Sequence, residues 1–349
     1  MISNQQWRLK LQLSKFPRVK LIHSPTPLEH LENLSKFLGG PEIFIKRDDC
    51  TGLAFGGNKS RKLEFLIGDA IQNKADIVIT AGAAQSNHCR QTAAAASKFG
   101  IECIIVAKPS WSKEYNGNVF LDELLGANLV LIEDDNEALD QGGKLSIETF
   151  IEEMMENLLS EGRKPYYIPI GGGNSIGSLG YISMTMELVS QANAIGIEIG
   201  SMIAASGGGG TQTGMILGAD LTKSAIKTVG IGISSKAPVI IPKLAKLCNQ
   251  TSTQFGLGLS YEENDIIFFD DYIGDGYGIP SEEMIDAVKL IARKEGIILD
   301  PVYSGKALAG MIDLIKKNYF STSKPVVFVH TGGTPALFVY SDVFKGSMT

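Results

Sequence analysis

Three apolar, β-branched runs in this 349-residue chain stop at small residues immediately before a helical pattern: Ile170 is followed by GGGNSIGS, Ser206 by GGGGTQTG and His330 by TGGTPA. A strand that ends in glycine and turns straight into a helix is the building unit of a parallel sheet with helices on its faces. In open sheets of that kind ligands bind outside the carboxyl ends of the strands. The same unit recurs along the chain, with strand candidates EIFIKR, DIVITAG, IECIIVA, ANLVLIE, PYYIPIG, SMIAAS, KTVGIGIS, DIIFFDD and PVVFVHTGG. Between them lie amphipathic stretches such as RKLEFLIGDAIQNK and SEEMIDAVKLIARKEG, whose apolar residues recur at helical spacing. An α/β fold is therefore expected.

A chain of this length exceeds what one hydrophobic core usually serves, so two lobes with a cleft between them are expected, and such a cleft is a natural ligand site. Residues 62–169 hold four strand and helix pairs and are expected to close as a small inserted α/β domain. Residues 1–61 and 170–349 then join as the larger lobe, each lobe being a mostly parallel twisted sheet flanked by helices. With no low-complexity tract or long linker, the lobes are expected to be tightly joined.

Composition narrows the function classes. An apolar fraction of 44%, a charged fraction of 20% and a net charge of −6 fit an ordinary soluble protein. They leave no overall basic field for nucleic acid or an anionic membrane. The basic N-terminal stretch carrying Arg8, Lys10, Lys15, Arg18 and Lys20 is broken by Pro17 and lacks interleaved aromatics. Cys50, Cys89, Cys103 and Cys248 have no CxxC spacing, which argues against a zinc ribbon or a disulfide framework, and no metal site is expected. Scattered cysteines suit a reducing compartment. The start shows no apolar core before a small-residue cleavage site, and no apolar run reaches spanning length, so the expectation is a cytoplasmic protein.

Two motifs carry the chemistry. Lys59 follows two glycines and an asparagine in LAFGGNKSRKLEF, at an expected loop-to-helix junction; a lysine in the first turn of a surface helix is the plain alternative. A neighbouring cation, Arg61 or Lys62, would raise its free-amine fraction if it faced the same way. The run Gly207, Gly208, Gly209, Gly210 and Thr211 sits between a strand and a helical start, where inward-pointing N–H groups and the helix dipole suit a phosphate. An amine nucleophile plus a phosphate cup is what pyridoxal 5'-phosphate requires, since that cofactor is held by an imine to lysine and by its dianionic phosphate. The nucleotide alternatives fit poorly: in a Walker A reading of Gly52 to Ser60, Asn58 intrudes before Lys59, and no GxGxxG is complete. Asp270 and Asp271 after the IIFF run imitate a Walker B end, or simply close a buried strand.

Other candidates stay open on residues alone. Ser86 and Asn87, between a strand and an alanine-rich helix, suit either an acid/base and cofactor-hydroxyl role or an N-cap. His88 has no metal-spaced partner. Tyr277 in DGYGIP and Tyr303 in DPVYSGK stand beside glycine or proline, on loops. Ser304 and Thr331 are small hydroxyls beside glycines, able to donate to a ring nitrogen or to end an element.

The segments KRDDCTGLAFGGNKSRKLE, TAGAAQSNHCRQTA, GYGIP, DPVYSGK and HTGGTPAL, spread over nearly the whole chain, resemble the family that joins 1-aminocyclopropane-1-carboxylate deaminase with D-cysteine desulfhydrase. The resemblance implies the tryptophan synthase β-like fold, fold type II among pyridoxal phosphate enzymes, a small amino acid substrate and a homodimer. It implies the cofactor bond at Lys59 beside Asn58, the ring hydroxyl near Asn87, the phosphate in Gly207 to Thr211, and Ser86, Tyr277 and Tyr303 on the substrate side. Deaminases of the family read DPVYEGK and HLGG, whereas this chain has Ser304 and Thr331, as the desulfhydrases have small hydroxyl residues. A carboxylate against the ring nitrogen deepens the electron sink that cyclopropane opening needs; expelling hydrosulfide needs less. The resemblance thus implies β-elimination of D-cysteine to pyruvate, hydrosulfide and ammonia. Deamination of the cyclopropane amino acid, or elimination from another β-substituted amino acid such as cysteate, is the alternative.

Overall fold

The computed structural model describes residues 13–108, 115–132 and 146–347. The chain's start, with Arg8 and Lys10 of the basic stretch, and Glu133 at the end of ANLVLIE lie outside them. In chain order the first elements are β1 (Leu28–His30), α1 (Glu32–Leu38), β2 (Ile43–Arg47) and α2 (Asn58–Gln72). Next come β3 (Ile77–Ala83), α3 (Asn87–Lys98), β4 (Glu102–Lys108), α4 (Gly117–Leu124), β5 (Asn128–Leu131), α5 (Ile147–Ser160) and β6 (Pro165–Ile168). Then follow α6 (Ser175–Ile195), β7 (Ser201–Ser206), α7 (Gly210–Thr222), β8 (Lys227–Gly232), α8 (Ala237–Phe255) and β9 (Ile267–Phe269). The last are α9 (Glu282–Glu295), α10 (Ser304–Lys316), β10 (Val326–His330) and α11 (Thr334–Val339).

The strands form two sheets, as expected: β1-β2-β10-β7-β8-β9 and β5-β4-β3-β6. All pairings are parallel except that of β1 with β2, which aligns Leu28 with Lys46. In the larger sheet Val326 aligns with both Ile43 and Ser201, so strands from the two ends of the chain lie side by side. The strands of the smaller sheet all lie between residues 77 and 168.

The central strands are apolar and fully enclosed because helices cover both faces. Every residue of β7 (SMIAAS) and β10 (VVFVH) is buried, the continuous pattern that a doubly covered parallel strand needs. One face of the larger sheet packs Ile45, Ile203 and Phe328 against Ile291 and Leu308 of α9 and α10. The other packs Met202 and Val329 against Tyr181 and Met215 of α6 and α7. Pro165 opens β6 at the sheet edge, where a missing N–H costs no ladder bond. β1 was not anticipated: three residues with a single aliphatic side chain, on an antiparallel edge, give no readable period.

Both segments that imitate a nucleotide site are occupied by structural duties. Asp270, just past β9 on the outer edge of the larger sheet, accepts from Ala237 N at 2.7 Å and so caps α8. The run before Lys59 forms short 3₁₀ turns, Asp48–Thr51 and Leu53–Phe55, closed by Gly57 N donating to Thr51 Oγ1 at 2.8 Å.

Candidate active site

The carboxyl ends of β3, β7 and β10 converge on a cavity of about 330 Å³. Among its described lining residues are three lysines, Lys59, Lys62 and Lys108, and neither an aspartate nor a glutamate. The described lining thus offers amines and no carboxylate.

Lys59 is the second residue of α2, presented by the tight turn that Gly56 and Gly57 permit, and its Nζ donates to Gly171 O at 3.3 Å. The side chain reaches solvent only in part, through the cavity, and burial pushes its pKa down to about 8. About a tenth is thus free amine at pH 7, the state that attacks an aldehyde. The cause is desolvation and not the expected cation of Arg61. Arg61 lies two residues on and points away, into a buried ion-pair network with Asp48 and Glu187. The neighbour that faces the same way is Lys62, one helical turn along, whose Nζ donates to the same Gly171 carbonyl at 3.0 Å. Burial first, then the charge of Lys59, holds the Lys62 ammonium well below its usual pKa. Sequence reasoning considered Lys62 only as a tuner of Lys59. The i,i+3 spacing was the signal that puts it on the cavity wall as well.

The glycine run behaves as a cup. Gly207, Gly208, Gly209 and Thr211 line the cavity, and Gly210 opens the thirteen-residue helix α7. Gly209 has φ +82°, a conformation that side-chain-bearing residues rarely adopt. A Cβ on Gly210 would lie 3.1 Å from Lys62 Nζ, so backbone and ammonium approach the same point. Just before the run, Ser206 Oγ lines the cavity and is buried without a partner among the described residues. Asn58 ties this cup to the lysine loop: its Nδ2 donates to Thr211 Oγ1 at 3.1 Å and its N to Thr331 O at 2.9 Å.

Across the cavity, Ser86 and Asn87 begin α3. Ser86 Oγ accepts from the N–H groups of His88 and Cys89 at 3.2 and 3.3 Å, so it caps the helix, and the residue also lines the cavity. Asn87 Oδ1 accepts from Arg90 Nη1 at 2.9 Å and Asn118 Nδ2 at 3.0 Å, which leaves its Nδ2 as the end available to a ligand. His88 also lines the cavity, with Nε2 2.8 Å from Thr80 Oγ1. Burial, then the charges of Lys59 and Lys62, keep it neutral.

Tyr277 and Tyr303 meet edge to face with their hydroxyls 2.6 Å apart, and both line the cavity. Burial of the hydroxyl end pushes Tyr277 up to about 12, although the residue as a whole is 42% exposed, and raises Tyr303 further, so both stay protonated at neutral pH. Ser304 is fully buried behind them and is not among the lining residues; Thr331 is. The Ser304 hydroxyl donates to Asp300 Oδ1 at 2.5 Å, and Asp300 also accepts from the backbone N–H groups of Val302, Tyr303 and Ser304. That carboxylate fixes the backbone from which Tyr303 projects, a role that no sequence pattern announced.

Chemically, the cavity offers a glycine-rich helix start with a lysine beside it, an amine of lowered pKa, an amide donor and two protonated phenols. A phosphorylated aldehyde fits this donor set. Comparison with known proteins agrees. A family model described as pyridoxal-phosphate dependent enzyme matches residues 19–332. The chain is 43% identical over 333 residues to a D-cysteine desulfhydrase of Klebsiella pneumoniae (strain 342), covering 94% of this chain and 97% of that protein. It is also similar to the crystal structure of an ACC deaminase homologue, with a TM-score of 0.87 and 37% identity over 98% of each chain.

Proposed function

This chain belongs to the pyridoxal-phosphate-dependent enzymes, in their fold type II, and on that premise we propose that it is a carbon–sulfur lyase converting D-cysteine and water to pyruvate, hydrosulfide and ammonia. The observation that carries the proposal is the joint position of Lys59, the Gly207–Thr211 cup and Lys62 around one cavity with no described acidic lining. The similar desulfhydrase supports the substrate.

Bound pyridoxal phosphate supplies an electron sink for the pair left when Cα loses its proton. The residues proposed to hold it are Lys59 by a covalent bond, the glycine cup, Thr211 and Lys62 at the phosphate, and Asn58 and Asn87 beside the ring. Thr331, a neutral hydroxyl on the cavity wall, is proposed to face the ring nitrogen in preference to the enclosed Ser304. Lys59 Nζ, uncharged when released, takes the Cα proton. The Cβ–S bond breaks, a Cα–Cβ double bond forms, and the protonated Tyr277–Tyr303 pair offers a proton to the departing sulfur. Ser86 holds the substrate carboxylate or relays a proton. Water then hydrolyses the enamine to pyruvate and ammonia.

The same proposal includes residues 62–169 as an inserted lobe, a homodimer and a cytoplasmic setting. Its support is the placement of all smaller-sheet strands within that segment, the family resemblance and the four free cysteines. Among the described residues no helix is long and apolar enough to cross a membrane. Sedimentation of the purified protein tests the dimer.

Lys59→Ala is expected to abolish both the visible absorbance of the lysine-bound cofactor and turnover; an active yellow variant overturns the assignment. Hydrosulfide, sulfite and 2-oxobutanoate release from D-cysteine, cysteate and 1-aminocyclopropane-1-carboxylate separates the desulfhydrase reading from its alternatives.

A further inference from the structure

Tyr277 sits on an exposed, glycine-rich loop between β9 and α9, yet its hydroxyl is held 2.6 Å from that of Tyr303. Such a backbone does not specify one conformation by itself. What holds it is Lys306. This lysine is fully buried in the first turn of α10, and its Nζ donates to Ile273 O at 2.5 Å and to Gly276 O at 2.7 Å. Lys306 stands three residues after Tyr303, so one turn of α10 carries the second tyrosine and captures the loop of the first.

The chemistry of the position is unusual. Among the described residues no carboxylate forms an ion pair with Lys306, and burial pushes its pKa down while the more distant Asp275 pulls it up. Burying an ammonium is costly, and a methionine of similar length would fill the space without that cost. The ammonium contributes two charge-assisted hydrogen bonds that span residues 273–276, directly before Tyr277. Lys306 does not line the cavity, so it touches no reacting group.

We propose that Lys306 is a positioning residue for the elimination: it clamps the 273–276 loop so that the Tyr277 hydroxyl meets that of Tyr303. The inference rests on the tyrosine roles given under the proposed function. It predicts that the lysine acts through Tyr277 and through nothing else in the site.

The test is a double-mutant cycle of Lys306→Met and Tyr277→Phe on the holoenzyme, with deuterium exchange of residues 271–280 as a readout independent of turnover. Lys306→Met is expected to retain the visible absorbance of the bound cofactor. It is expected to lower kcat/KM for D-cysteine by roughly 10- to 100-fold alone but by less than about 3-fold in the Tyr277→Phe background. Exchange of the loop should accelerate in both backgrounds. Equal losses in the two backgrounds, or unchanged exchange, overturn the clamp. Lys306→Gln is run in parallel; if neither variant yields folded holoenzyme, the lysine is a folding residue and the proposal fails. If the wild-type protein releases no hydrosulfide, the functional reading fails separately, and exchange still decides the clamp.

Discussion

Two buried arginines flank the cavity, and they are held very differently. On the larger-sheet side, Arg61 bonds Asp48 at 2.8 Å through both Nε and Nη2, Glu187 at 2.9 and 3.3 Å and Thr26 Oγ1 at 3.0 Å. Tyr181 OH and Lys46 complete the network by donating to Asp48 and Glu187. Burial alone would raise the Glu187 carboxyl, but Arg61 and then Lys46 pull it down to about 2. On the smaller-sheet side, Arg90 bonds among the described residues only neutral acceptors, Asn87, Asn118 and Gly56. Its Nε, Thr92 Oγ1 and both oxygens of the nearby Asp122 find no partner among the described residues. Burial pushes Asp122 up to about 8 and Arg90 down to about 10.

The contrast separates two duties. α2 must hold Lys59 in one place, and a saturated charge network in low dielectric over-determines its position. α3, whose start presents Ser86 and Asn87, and α4 beside it rest on groups whose hydrogen bonding is incomplete, so rearranging them forfeits little. The helix that carries Lys59 thus rests on a saturated network, and the helix start that carries Ser86 and Asn87 rests on an incomplete one.

The sharpest way to break this comparison is to remove each guanidinium. Arg61→Met strands Asp48 and Glu187 as buried carboxylates and is expected to cost about 3–5 kcal/mol in urea unfolding. Arg90→Met is expected to cost about 1–2 kcal/mol. Equal losses would erase the distinction.

A smaller effect reads the anchor itself. On the proposed assignment only uncharged Lys59 reacts with the cofactor aldehyde, so the rate at which apoprotein gains visible absorbance should rise tenfold per pH unit below about 8 and level off above it. A rise continuing to the ordinary lysine range would mean that burial does not tune the amine.

A last effect, small only at acid pH, concerns Asp122. Its folded pKa is raised, so between about pH 4 and pH 8 the folded state holds a proton that the unfolded state has lost, and stability falls as pH rises through that window. Asp122→Asn is expected to change stability by less than about 1 kcal/mol near pH 4 and to flatten the decline toward pH 8. An unaltered slope in thermal melts would assign the pH dependence to other groups.

Much of the fold and the site was legible in the residues because it depends on local pattern. Continuous apolar runs marked the buried strands, glycines marked their carboxyl ends, and a lysine after GGN marked a loop-to-helix junction. Less legible were facts of side-chain direction. Ser304 and Thr331 looked equivalent in sequence, yet Asp300 draws the first inward and the end of β10 presents the second to the cavity. Arg61 and Lys62 looked equivalent as tuners, but one helical residue separates an ion-pair core from the cavity wall.

The sequence by itself determined the parallel α/β architecture and the place of Lys59 and of the glycine run at helix starts, because hydrophobic period and glycine placement act over a few residues and need no partner. Only the tertiary structure decided which cation faces Lys59, which hydroxyl reaches the cavity and how Lys306 captures the loop of Tyr277. Those outcomes depend on groups separated by tens to hundreds of residues meeting in low dielectric. There each buried charge or hydroxyl settles on whichever partner the packed elements bring within hydrogen-bond reach.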